Sequence, residues 1–160
     1  GDSDHEGGTF ITTPYVKDNS ASIHVSTYVK NDQRKTKKVF LVTAIVDGSD
    51  SLLTTLKDSV DLLPGVITKI DQQTSILKGI HYWSDKNPFL YKVKSFVYSD
   101  KKLVDCYESP LGIRNFYWNY KTNNLYLNGE KINIRGTNRH QEYPWLGDTR
   151  MNNVKRSDGY

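Results

Sequence analysis

Cysteine is almost missing from this chain: 160 residues contain a single one, Cys106, so no disulfide can close within it. Small secreted folds stapled by disulfide frameworks are thereby excluded, and the fold must rest on a buried core. Cys106 lies in the alternating stretch Leu103-Val104-Asp105-Cys106-Tyr107 with no base beside it. That placement predicts a buried strand thiol rather than a nucleophile. No apolar run approaches the roughly 18 residues that would cross a membrane as a helix. The first residues lack the basic and apolar pattern of an export leader, so no compartment is read from this chain. No segment shows a sustained helical period of apolar residues. No set of His, Cys and carboxylates has zinc-like spacing, and Asp47-Gly48-Ser49-Asp50 is too short for a calcium loop, so no metal or cofactor is implied.

Charge of one sign is not concentrated either. The 22 basic and 18 acidic side chains leave a net charge of +4, with the acids spread throughout. The densest basic run, Arg34-Lys35-Thr36-Lys37-Lys38, falls between two strand-like segments, where it predicts a solvated hairpin turn. A nucleic-acid partner would call for clustered cations and is not expected.

What the sequence does hold is 12% aromatic residues, 11 of them tyrosines, and many β-branched ones. A disordered chain is poor in both. Residues 1–8 are polar and Gly-rich and read as a flexible tail. Thr9 to Thr13 is a short β-branched run stopped by Pro14. Ser22 to Asn31 alternates, with Ile23, Val25, Thr27 and Val29 on one face, as a strand with one buried side does. In Lys38 to Asp47 both faces are apolar, which predicts a central strand covered on both sides. Leu52 to Lys57, Gly65 to Leu77, Phe89 to Ser99 and Leu103 to Glu108 continue the series, separated by turn residues. In Phe89 to Ser99, Tyr91, Val93, Ser95 and Val97 share one face. About seven strands over roughly a hundred residues, joined by short turns, predict an all-β, immunoglobulin-like β-sandwich. We place it at residues 9–113. Beyond it, Asn128-Gly129 between Leu125-Tyr126-Leu127 and Ile132-Asn133-Ile134 is a strong hairpin signal.

The segment Arg135-Gly136-Thr137-Asn138-Arg139-His140-Gln141-Glu142 crowds polar groups at the end of a strand, which no structural role demands. Together with Leu127-Asn128-Gly129-Glu130-Lys131-Ile132 before it and Pro144 and Gly147 after it, this stretch resembles the opening of the catalytic barrel in glycoside hydrolase family 2. The β-galactosidase members match best. Tyr82-Trp83-Ser84 with Asn87-Pro88-Phe89-Leu90-Tyr91, and Leu111-Gly112-Ile113-Arg114, resemble the family's sandwich motifs, as does Ile11-Thr12-Thr13-Pro14 its start. The likeness runs over about residues 9–148. It implies a sugar-binding jelly roll before the sandwich and a (β/α)8 barrel after it, whose truncated start is residues 114–160.

By the same resemblance His140 is a sugar-hydroxyl contact, Asn138 and Arg139 are ligands or supports of the site, and Glu142 is a weaker candidate that could simply pair with Arg139. Retaining glycosidases need two carboxyl groups about 5 Å apart. The family's acid glutamate follows an asparagine, and this chain has no Asn-Glu dipeptide. We therefore expect no catalytic residue here and no activity from the chain alone. The implied partners are a carbohydrate substrate and the remaining domains of the parent enzyme, with homo-oligomer formation left open. His5, His24 and His81 read as incidental, and Trp83 and Trp118 as packing residues. The rival reading is a stand-alone immunoglobulin-like module binding a glycan or protein through its loops, which would need an aromatic or polar patch on the sandwich.

Overall fold

The computed structural model describes residues 8–132. Strands β1 (Gly8–Lys17), β2 (Ser20–Lys30), β3 (Lys37–Val46), β4 (Leu52–Leu62), β5 (Ile67–Gln73), β6 (Leu77–Lys78), β7 (Tyr91–Ser99) and β8 (Lys102–Leu111) form the sandwich. One sheet runs β1-β2-β5, with β6 pairing the start of β2, and the other β4-β3-β7-β8, every pair antiparallel. The seven longer strands correspond to those expected from the sequence, and the two-residue β6 is added. A third sheet of β9 (Phe116–Asn119), β10 (Asn124–Leu127) and β11 (Glu130–Ile132) follows.

The alternating residues point inward as the period of two requires. Ile23, Val25, Thr27 and Val29 of β2 face Val39, Leu41, Thr43 and Ile45 of β3 and Tyr91, Val93, Ser95 and Val97 of β7, and all are buried. The apolar ones fall into two clusters. Ile23, Val25, Ile45, Tyr91 and Val93 belong to one, and Val29, Val39, Leu41, Ile70 and Val97 to the other. On each of these strands a polar residue (Thr27, Thr43, Ser95, and Gln72 on β5) sits where one cluster gives way to the other. The core is thus two apolar lobes divided by a buried polar belt. Within it Thr43 Oγ1 donates to Gln72 Oε1 at 2.5 Å, while Thr27 Oγ1, Ser95 Oγ and Gln72 Nε2 have no protein partner.

Four local expectations are corrected. Pro14 does not stop β1. The strand continues to Lys17 through a register shift between Thr12 and Tyr15, and β1 is an edge strand, where a proline breaks no ladder on its open side. Arg34 to Lys38 is not a hairpin turn, because β2 and β3 lie in different sheets and the basic run, exposed at Arg34 to Thr36, crosses between them and enters β3 at Lys37. Buried Asn31 ties that crossing, donating from Nδ2 to Lys35 O at 2.9 Å and Leu62 O at 2.8 Å. Strand β3 is central, yet its outer face is open, with Phe40 47% exposed. Cys106 is exposed rather than buried, since it pairs with Phe96 on that same outer face of the edge strand β8. Alternation alone cannot tell which phase of an edge strand faces the core.

Candidate functional site

The candidate residues His140, Asn138, Arg139 and Glu142 lie outside the described residues. What is described is the junction from which that segment departs, and it joins three of the sequence motifs noted above. The first is the connection between β6 and β7. Its start is anchored by the β1–β2 turn, where Asp18 and Asn19 take positive φ. Ile80 N donates to Asn19 O at 2.8 Å, Asn19 Nδ2 to Ile80 O at 3.0 Å, and Asn19 N to Tyr82 Oη at 2.8 Å. Further along, His81 N donates to the hydroxyl of the core residue Tyr91 at 2.9 Å. The rings of His81, Phe89 and Tyr91 follow one another at centroid distances of 4.9 and 5.0 Å. Burial pushes the Tyr91 hydroxyl above the usual tyrosine range, against the lowering effect of the His81 N–H. Tyr82 is raised for the same reason, with the Asn19 N–H opposing.

The second motif leaves β8. Ile113 is fully buried in the first apolar cluster, and its carbonyl accepts from Trp83 N at 2.8 Å. Between Leu111 and Ile113 the backbone passes so close to the indole that a Cβ on Gly112 would lie 3.1 Å from Trp83 Cγ. A side chain there would make the indole give by a few tenths of an ångström, so the close approach favours glycine. The Arg114 guanidinium then lies over the other part of this contact, its Cζ 4.5 Å from the Trp83 ring centroid, a cation–π geometry. Trp83 is a packing residue at a junction, as the sequence suggests.

The third motif is the β10–β11 hairpin. Its two-residue turn puts both Asn128 and Gly129 at positive φ, 54° and 90°, as a type I′ turn requires. The β9–β10 turn is closed by Asn119, whose Oδ1 accepts from Lys121 N at 2.9 Å and Thr122 N at 3.2 Å. Asn128 meets both other motifs: its Nδ2 donates to Trp83 O at 2.9 Å, and its Oδ1 accepts from Asn115 N at 2.9 Å.

The chemistry available among the described residues is limited. Among the described residues beyond Leu111 the one carboxylate is Glu130, which is exposed, so these residues form no acid pair at the junction. Elsewhere, Asp71 Oδ1 accepts from Ser26 Oγ at 2.6 Å and lies 3.2 Å from His24 Nε2. Both side chains turn to the same carboxylate oxygen, so the histidine is not placed as base to the serine hydroxyl. His24 is nonetheless partnered, which alternation on β2 did not reveal because Asp71 comes from β5.

The family model described as Glycosyl hydrolases family 2 matches residues 7–114. A β-glucuronidase of Formosa agariphila is 34% identical over 140 residues, covering 88% of this chain and 14% of that protein. A β-galactosidase of Thermoanaerobacterium thermosulfurigenes is 27% identical over 150 residues, covering 92% of this chain and 20% of its own length. The solved structure of Bacteroides uniformis β-glucuronidase 2, covalently bound to cyclophellitol-6-carboxylate aziridine, superposes with a TM-score of 0.73 at 28% identity. It covers 84% of this chain, which spans 16% of that one.

Proposed function

Because this chain belongs to glycosyl hydrolases family 2, we propose that it is the sandwich portion of a retaining β-glycosidase that hydrolyses terminal β-glycosidic bonds, and that the chain alone is not catalytic. The observation that carries this reading is the family match over the sandwich, joined to relatives of which this chain spans only 14% and 20%. In this reading residues 9–113 are the sandwich domain and 114–160 the onset of the barrel domain. A barrel's active site lies at the C-terminal ends of its strands. His140 would contact a sugar hydroxyl there, with Asn138 and Arg139 beside it and Glu142 as a further candidate. Imidazole and amide groups suit the task, since they donate to and accept from hydroxyls in fixed directions. The partners are then a carbohydrate and the other domains of the parent enzyme.

The sugar is a galactoside or a glucuronide, the two substrates named among the relatives. A panel of chromogenic β-glycosides tests the reading with this chain and the full-length gene product side by side. Hydrolysis by the full-length protein alone is expected, and the cleaved glycoside identifies the sugar. Hydrolysis by the 160-residue chain would overturn the non-catalytic assignment and make Glu142 the first residue to replace.

A further inference from the structure

We infer that the end of the sandwich opposite the junction is a docking surface for an anionic lipid bilayer, built from an exposed apolar turn with cations around it. This goes beyond the glycosidase reading and does not rest on it. Three connections meet at that end: the crossing 31–36 between β2 and β3, the β4–β5 turn 63–66 and the β7–β8 turn 100–101. Strand register brings them together, since Lys37 pairs with Leu62, Lys30 with Ile67 and Phe40 with Tyr98. The junction motifs lie at the other end, where Val46 pairs with Lys92 and Tyr91 with Leu111. Buried Asn31 fastens the first two connections side by side. Its Nδ2 donates to Lys35 O at 2.9 Å and to Leu62 O at 2.8 Å, and its backbone carbonyl accepts from Gly65 N at 2.8 Å.

The β4–β5 turn, with Gly65 at φ 70°, leaves Leu63, Val66 and Ile67 outside the core, 57%, 44% and 50% exposed. Aliphatic side chains gathered on one turn and rimmed by charge mark an interaction surface, unlike ones scattered singly. The rim is Arg34, Lys35, Lys37 and Lys38 from the crossing and the start of β3, and Lys101 and Lys102 from the β7–β8 turn. The acids of this end are Asp32, Asp61 and Asp100. Asp32 lies 3.9 Å from Lys30 Nζ and Asp61 3.9 Å from Lys38 Nζ. Among the described residues no ion pair engages Arg34, Lys35, Lys37, Lys101 or Lys102. Acids spread along the sequence obscure this excess, which emerges once the fold carries 34–38 and 101–102 to one end. A polyanion in solution would pair with the cations and leave the aliphatic turn in water. An anionic bilayer accepts both, since its phosphate headgroups meet the cations while the turn enters the boundary beneath them. Charge complementarity and the apolar turn together favour the bilayer over a nucleic acid or an acidic polysaccharide.

Sedimentation with vesicles tests this, using the 160-residue chain and the full-length gene product. Both should bind vesicles of phosphatidylglycerol and phosphatidylcholine and leave vesicles of phosphatidylcholine alone in suspension. Each Lys or Arg near an anionic surface contributes about fivefold to binding, so Arg34→Gln with Lys35→Gln should weaken it at least about tenfold. Leu63→Ser with Val66→Ser should weaken it about tenfold as well, through the lost apolar burial. All four side chains are exposed, so the melting temperature should not move. Equal binding to both vesicle types, or to neither, overturns the docking surface, and that comparison decides without any substitution. Binding that survives the loss of Arg34 and Lys35 within about twofold overturns it too. Binding that falls with the cations yet survives Leu63→Ser with Val66→Ser makes this end a general polyanion surface and overturns the bilayer. Binding by this chain but not by the full-length protein means that another domain covers the end, and the docking surface is again overturned.

Discussion

Thr27 and Thr43 are both fully buried, both on central strands and both part of the polar belt, yet they should respond oppositely to the same substitution. Thr43 Oγ1 donates to Gln72 Oε1, so Thr43→Val strands a buried carbonyl oxygen and should cost about 1–3 kcal/mol. Thr27 Oγ1 has no protein partner, and Thr27→Val removes a desolvated hydroxyl without orphaning anything. Its effect should be within about 1 kcal/mol of zero or stabilising. Urea melts of the two variants check the contrast; equal losses would mean that the belt acts as a unit. Tyr91 supplies a pH signature. Burial raises its hydroxyl, so the folded state holds the proton after the unfolded chain has released it. The stabilisation from neutral Tyr91 is complete below the ordinary tyrosine value near 10 and lost as pH climbs through and above it. Tyr91→Phe should lower stability at neutral pH, because His81 N loses its acceptor, and should flatten the decline above about pH 10. Thermal melts from pH 8 to 11 read both effects, and a decline of unaltered steepness would remove Tyr91 as its source.

Among the elements, protection should follow what each strand is packed into. Strand β3 is paired on both sides and contributes to both apolar lobes. Strands β9 and β10 belong to a small separate sheet in which Tyr117 and Tyr120 are exposed and Leu125 alone is buried. Amides of 116–119 and 124–127 should therefore exchange at least about tenfold faster than those of 39–45. Equal protection would show that the third sheet unfolds only with the sandwich. The turns divide by chemistry. Asn128-Gly129 was legible as a hairpin because both residues suit positive φ. Asp18-Asn19 and Asp100-Lys101 adopt the same left-handed conformation, and Lys101 carries no signal for it. Strand lengths were underestimated for the same reason that Pro14 misled: β4 runs on to Leu62 because Lys37 to Val46 pairs along its full length, which local propensity does not report.

At the scale of the whole molecule, the sandwich presents its junction motifs on one end, where 82–91, 111–114 and 127–129 meet through Trp83 and Asn128. Each of these stretches is unremarkable by itself, and their order along the chain carried the family resemblance. The proposed role of His140 belongs here too, since it concerns the full-length protein. His140→Ala in that protein should lower kcat/KM on its best glycoside about tenfold or more, as loss of a hydrogen bond to a bound hydroxyl does. A kcat/KM unchanged within twofold would remove His140 from the site.

The alternation of residues and the turn residues between strands were sufficient to establish an all-β sandwich, the inward faces of β2, β3 and β7 and the Asn-Gly hairpin. These properties repeat every second residue or reside in adjacent ones, so they survive without knowledge of what lies across the core. Tertiary structure alone decided the exposure of Cys106, the open outer face of β3, the crossing at Arg34 to Lys38 and the long-range bonds of Asn128. Each of these depends on which strand becomes a neighbour. A side chain at an edge, or an amide reaching 45 residues along the chain to Trp83, meets a partner that no local pattern encodes.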